Sequence, residues 1–198
     1  TRTKCLLQAP PLELLRACNW TEDTGDIPLH AGGIPQRNLS AICIVDGVTV
    51  VDELTVAYAT PVVDVPVIFQ AMLQEGDLGP SRIVYNMTAN EFEAELKKQY
   101  SAANGWLPAQ IAALPKGIME RYADDIAVNP QKAVASIIAD VGVICGNLEL
   151  AKAASSAFKS EVYMSVVQAA PSHPYWMFDH KYPMHFAGHL YDLIAATE

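Results

Sequence analysis

The sequence predicts an α/β chain, and three observations carry that reading. The first is a continuous apolar run, Val65–Leu73, with no alternation of polar and apolar positions. Runs of this kind suit a parallel strand buried on both faces, as found inside α/β sheets. The second is Val162–Val167 (Val-Tyr-Met-Ser-Val-Val), whose β-branched and aromatic side chains suit a pleated surface. The third lies between them, where the pattern turns helical from Thr88 onward. The expected plan is strand, helical insertion, strand, loop, then a histidine.

Taken in order, Pro10-Pro11 followed by Leu12, Leu14 and Leu15 reads as a short helix begun by proline and ending before Asn19. Residues 19–40, rich in Gly, Pro, Asn, Asp and Thr, read as an irregular surface segment. Ile42–Val45 and Val48–Val51 flank Asp46-Gly47, a hairpin signal, because a type I′ turn needs two residues that tolerate positive φ. The apolar run 65–73 stops at the polar turn Gln74-Glu75-Gly76-Asp77. That turn falls at the strand's carboxyl end, where sites collect in open α/β sheets. Thr88-Ala89-Asn90-Glu91 fits a capping box, in which threonine and glutamate satisfy free amides reciprocally. Helices are expected over 91–100, 108–122, 130–141 and 147–158, broken by Gly105, Pro115, Asn129-Pro130 and Gly146. After the second strand, a loop from Pro171 to His185 leads to Gly188-His189 and a closing helical stretch.

Composition narrows the function. The 198 residues are 51% hydrophobic and 18% charged, a globular balance. Acids outnumber bases 22 to 13, for a net charge of −9, and no Lys/Arg cluster provides a nucleic-acid footprint. The apolar stretches, such as Val65–Leu73, are too short to span a bilayer. Cys5, Cys18, Cys43 and Cys145 are widely spaced with no CxxC, which argues against a structural zinc site. Three N-glycosylation acceptors, at Asn19, Asn38 and Asn86, tilt the reading toward the secretory route. The chain opens at Thr1 without a signal segment and ends just after a helical pattern, so it reads as a processed or partial chain.

Two ionisable residues stand out by context. Glu75 sits just past a buried strand, and His189 follows a strand-plus-loop unit, with Asp192 three residues on. A carboxylate at one strand end can accept the Nδ1–H of an imidazole, fix its tautomer and stabilise the imidazolium formed in general-base catalysis. Acid followed by histidine is the chain order of the α/β-hydrolase triad, although no Gly-x-Ser-x-Gly and no HGGG-like loop occurs here. A zinc pair at His185 and His189 is a weaker alternative: Gly188 and Pro183 make a poor helix, and no third ligand is evident. Trp176, Phe178 and Tyr182 could line an acyl pocket, with core packing under the loop as the plainer alternative.

At these residues the sequence resembles the type-B carboxylesterases and cholinesterase-like proteins. Pro66-Val67-Ile68-Phe69 through Glu75-Gly76 looks like the family's strand leading into its acid motif, with Glu75 on the catalytic acid. Gly188-His189-Leu190-Tyr191-Asp192-Leu193 resembles its His-Gly-x-Glu/Asp-Leu motif, with His189 on the catalytic histidine. Cys5-Leu6-Leu7 through Glu13-Leu14-Leu15, then Val45-Asp46-Gly47, then Asp140 to Cys145 followed by Val162-Tyr163-Met164, resemble further landmarks in the same order. The sequence departs from the family where Gly-Thr-Asn is Gln70-Ala71-Met72, where the Asp before the acid is Gln74, and where the glycine after the histidine is Leu190. Leu78 and Gly79 replace the aromatics that hold a quaternary ammonium in cholinesterases, which argues against choline esters.

The resemblance implies part of an α/β-hydrolase fold over residues 1–198: the late sheet strands, with a helical insertion between acid and histidine. The nucleophile-bearing part would precede Thr1 and the final helices would follow Glu198. It implies a secreted serine esterase that acts on a small-molecule ester without cofactor or metal. Glu75 and His189 would be triad members, and Tyr191 and Asp192 would support the histidine. Cys5 and Cys145 would pair with cysteines elsewhere in the polypeptide. The helices between the strands are candidates for packing on a second copy. The alternative is a catalytically inactive cholinesterase-like domain acting in adhesion or assembly.

Overall fold

The computed structural model describes residues 47–48, 51–61, 63–78, 86–104, 106–176 and 183–195. The expected proline-begun helix, the 19–40 segment, the first hairpin strand Ile42–Val45 and residues 49–50 of the second lie outside them. Val48 and Val51 are exposed and not in a strand, and Gly47 has the positive φ of 71° that the turn requires. Cys5, Cys18, Cys43, Asn19, Asn38, Phe178 and Tyr182 also lie outside the described residues.

Among the described residues the chain is mixed helix and strand, with a small two-stranded parallel sheet. Helix α1 (Leu54–Ala59) precedes strand β1 (Val67–Met72), which runs into a 3-10 turn at Glu75–Leu78. Helices α2 (Ala89–Gln99), α3 (Pro108–Arg121), α4 (Ala123–Val128) and α5 (Pro130–Ala139) follow. A π-helical segment (Asp140–Ile144) and α6 (Cys145–Ala157) lead to strand β2 (Val162–Val167), and α7 (Tyr191–Ala195) comes last. β1 and β2 pair in parallel, Val67 with Val162 through Met72 with Val167. A parallel pair needs a long crossover, which the intervening helices supply.

Apolar periodicity and acidic staples hold this arrangement. At the strand starts, Asp64 accepts the amides of Lys159 and Ser160 at 3.2 and 3.0 Å, tying the approaches to β1 and β2 together. On the inner sheet face, Phe69 packs with Ala151 and Ala154 of α6, and Tyr58 of α1 meets Phe69 edge-on at 5.3 Å. The helical insertion has its own core of Phe92, Leu96, Tyr100, Ile126, Ala133, Val134 and Ile137. The Thr88–Glu91 capping box opens α2: Thr88 N–H donates to Glu91 at 2.8 Å, and Glu91 N–H donates to the Thr88 hydroxyl at 3.3 Å. Asn129 caps α5 by accepting the Gln131 amide at 2.7 Å.

Two expected breaks are absent. Pro115 sits inside α3, buried, and the helix continues through it even though proline lacks the amide for the carbonyl four residues earlier. Gly146 sits inside α6, so 130–157 is one uninterrupted helical run with a π segment in its middle. A single glycine lowers helix stability by only about 1 kcal/mol, and the helix runs through Gly146 at that small cost, in an exposed stretch with open space around the glycine. The 28-residue run Pro130–Ala157 is long and apolar enough, by length and composition, to cross a membrane. Splitting it at Gly146 hid that length from the sequence reading. In this fold its α5 half buries Ala133, Val134, Ala135 and Ile137 within the chain.

Candidate acid–histidine site

The site is assembled where β1 ends. Glu75 lies on the 3-10 turn, with a side chain only 10% exposed, and its two carboxylate oxygens are divided between two partners. Oε1 accepts the amide N–H of Met72 at 2.8 Å, which folds the carboxylate back onto the strand end. Oε2 lies 2.6 Å from Nδ1 of His189. A carboxylate in this position accepts, so the hydrogen belongs on Nδ1 and the neutral imidazole keeps its free lone pair on Nε2. The His189 side chain is 52% exposed. The pair thus combines an almost enclosed acid with an accessible base, and 114 residues of chain separate them.

The turn that carries Glu75 also holds the loop that carries His189. Asp77, only 4% exposed, receives on Oδ2 the amides of His185 at 2.6 Å and Phe186 at 2.7 Å. Its Oδ1 accepts Gln131 Nε2 at 3.0 Å. Burial raises the Asp77 carboxyl above its ordinary range, against the opposing pull of these three donors and of His185. Gln74 pairs with Ala187 twice: its amide donates to the Ala187 carbonyl at 2.9 Å, and the Ala187 amide donates to its side-chain oxygen at 3.3 Å. The amides of residues 185, 186 and 187 therefore all end on the acid turn. Beneath it, Gln74 Nε2 donates to Ser136 at 3.3 Å, Ser136 donates to Asp125 at 2.6 Å, and Lys132 pairs with Asp125 at 3.0 Å.

Two glycines and one leucine shape the backbone here. A Cβ on Gly76 would lie 2.8 Å from Ile138 Cβ and 3.0 Å from Ala135 Cα, so only glycine lets the acid turn approach α5 this closely. A Cβ on Gly188 would lie 2.9 Å from the Met184 side chain. Leu190, next to His189, is the one non-glycine residue with positive φ among the described residues, at 66°. That conformation is strained for a leucine and natural for a glycine.

Other anticipated residues are placed differently. Asp192 accepts Gln70 Nε2 at 2.5 Å, so it ties α7 to the middle of β1. Tyr191 meets Tyr175 edge-on at 6.4 Å, and Tyr175 in turn bridges Met184. Among the described residues neither Asp192 nor Tyr191 is hydrogen-bonded to Glu75 or His189. Trp176 is 59% exposed. His185 is drawn to the site through its backbone rather than as a ligand, and no group of three metal-binding side chains forms among the described residues. Asn86 is exposed at the approach to α2, beside an open groove lined by Met87, Glu91 and Lys98 that lies apart from the acid–histidine pair. Cys145 is exposed at the start of α6 and has no disulfide partner among the described residues.

The residues that sequence reasoning missed are Gln74, Asp77, Gln131 and Ser136. For Gln74 and Asp77 the only local signal is the polarity of the turn, which looks like that of any exposed turn, and Gln131 and Ser136 look like ordinary polar positions of α5. No family model, curated protein or solved structure matches the chain.

Proposed function

We propose that the chain supplies the acid and the base of a serine-type carboxylic ester hydrolase with an α/β-hydrolase fold. The observation that carries this reading is the 2.6 Å bond between Glu75 and Nδ1 of His189, formed at the carboxyl end of a parallel strand. It presents Nε2 as a general base of fixed tautomer. In the proposed reaction, Nε2 takes the proton of a serine hydroxyl as its oxygen attacks the ester carbonyl. It returns that proton to the departing alcohol and then activates water against the acyl-enzyme. Glu75 stays ionised and stabilises the imidazolium that forms in each half-reaction.

Two further observations support the reading. The resemblance places a glycine immediately after the histidine, and Leu190 holds the positive φ that a glycine would adopt without strain. The outer sheet face carries Ile68 and Tyr163 as register partners, 67% and 50% exposed, an apolar surface suited to a further layer of the same domain. In this proposal the serine elbow lies upstream of Thr1 in the encoded polypeptide, the substrate is a small-molecule ester, and the protein travels the secretory route with a glycan on Asn86.

A fluorophosphonate probe tests this on the polypeptide encoded by the complete reading frame. One serine in a Gly-x-Ser-x-Gly upstream of Thr1 should be labelled, and His189→Gln should abolish labelling. A glycine or alanine in the serine's place sinks the hydrolase and favours a catalytically inactive adhesion or assembly domain.

A further inference from the structure

We infer that Asp77 is the positioning residue for His189: its buried carboxylate, by holding the backbone of residues 185 and 186, sets the register of the imidazole against Glu75. The inference rests on the proposed role of the acid–histidine pair, and it concerns how that pair is kept in place. Glu75 and His189 come from segments more than a hundred residues apart, and His189 is half-exposed. Packing around the ring is therefore not what fixes it. The backbone leading to it must be fixed instead, and that backbone is tied to the acid turn at successive residues.

Of those ties, the Asp77 pair is the shortest. One oxygen gathers two consecutive amides at 2.6 and 2.7 Å, and the other is held by Gln131 of α5 at 3.0 Å. A carboxylate that gathers adjacent N–H groups fixes their peptide planes as well as their distance. Asp77 is two residues from Glu75 on the same 3-10 turn, so any shift of that turn moves acid and histidine together. Gln131 then fastens the turn to the helical insertion. Leu190 closes the constraint from the other side, because its positive φ sets the chain direction directly after the imidazole. Asp77 touches neither His189 nor any reacting group, so its action is one of position alone.

Nuclear magnetic resonance of the full chain labelled with nitrogen-15 histidine reads this without turnover. In the wild type, His189 should show a single Nδ1–H tautomer with a downfield, exchange-protected proton. Asp77→Asn keeps an oxygen for the two amides and should retain that signature. Asp77→Ala removes the acceptor of three donors, the amides of His185 and Phe186 and the Gln131 side chain, and the protected resonance should be lost in favour of mixed tautomers. Asp77→Glu retains charge and acceptors but lengthens the reach by one methylene. It keeps the fold accessible if the alanine variant does not fold, and it should shift or lose the resonance. A wild-type His189 signature in Asp77→Glu, or its loss in Asp77→Asn, would overturn the inference. Because the resonance does not need a serine, failure of the hydrolase reading appears separately, as absent fluorophosphonate labelling.

Discussion

The helical insertion and the joint between the acid turn and the histidine loop bury side chains of opposite character. The insertion encloses Phe92, Leu96, Val134 and Ile137, which interlock without hydrogen bonds. The joint encloses Gln74, Asp77, Gln131 and Ser136, the buried polar side chains among the described residues, and each has a hydrogen-bond partner. Apolar burial is non-directional and adds stability roughly in proportion to area. A satisfied polar network adds less net stability but admits few alternative geometries. The difference assigns the parts separate tasks: the insertion holds the chain together, and the joint holds Glu75 and His189 in register.

Substitutions can break that division of labour. The largest expected loss is in the insertion. Phe92→Ala removes a fully buried ring and should lower unfolding free energy by about 3–5 kcal/mol in chemical denaturation. The histidine resonance of the folded fraction should stay unchanged. A variant that lost both together would mean the two regions are one unit. Gly76→Ala comes next, because its Cβ has no room against Ile138 and Ala135. It should lower stability by about 1–3 kcal/mol and, unlike Phe92→Ala, also disturb the His189 signature.

A smaller gain is expected at Leu190. Leu190→Gly relieves the positive φ and should raise stability by about 0.5–1 kcal/mol, whereas β-branched Leu190→Val should lower it. Thermal unfolding of the pair gives the sign directly. Asp77 supplies the subtlest test, through pH. Burial raises its folded pKa above the unfolded value, so its contribution to stability is fully present below the unfolded pKa. That contribution is lost as pH rises through the folded value. Asp77→Asn has no proton to lose, so its stability relative to wild type should improve from strongly acidic toward neutral pH. A constant difference across that range would mean that Asp77 titrates as it does when unfolded.

Much of the framework was legible because its causes are local. β2 falls on Val162–Val167 as expected, β1 falls within the apolar run, and the Thr88 capping box is made by neighbours three residues apart. The misplaced break at Pro115, which is buried, is a case where tertiary packing overrides local preference. The break expected at exposed Gly146 is absent because one glycine costs a helix too little to end it. Helix α1 was not anticipated, since Leu54–Ala59 mixes β-branched residues with alanines; Tyr58, packed on Phe69 and Phe158, anchors it. At the site, Glu75 and His189 were legible by order and context, and the structure brings them together. Asp77 was not legible, because its burial depends on a loop over a hundred residues away. Nor was the destination of Asp192, which lies next to the histidine motif in sequence yet bonds Gln70 on β1.

The most direct test of the central claim is ester hydrolysis by the polypeptide of the complete reading frame, compared with its Glu75→Gln and His189→Gln variants. If the pair acts as orienting acid and general base, each variant should lose roughly 10³–10⁴-fold or more in kcat, and the double variant should lose little beyond the worse single one. Hydrolysis unchanged by His189→Gln, in a protein that still folds, would contradict the account.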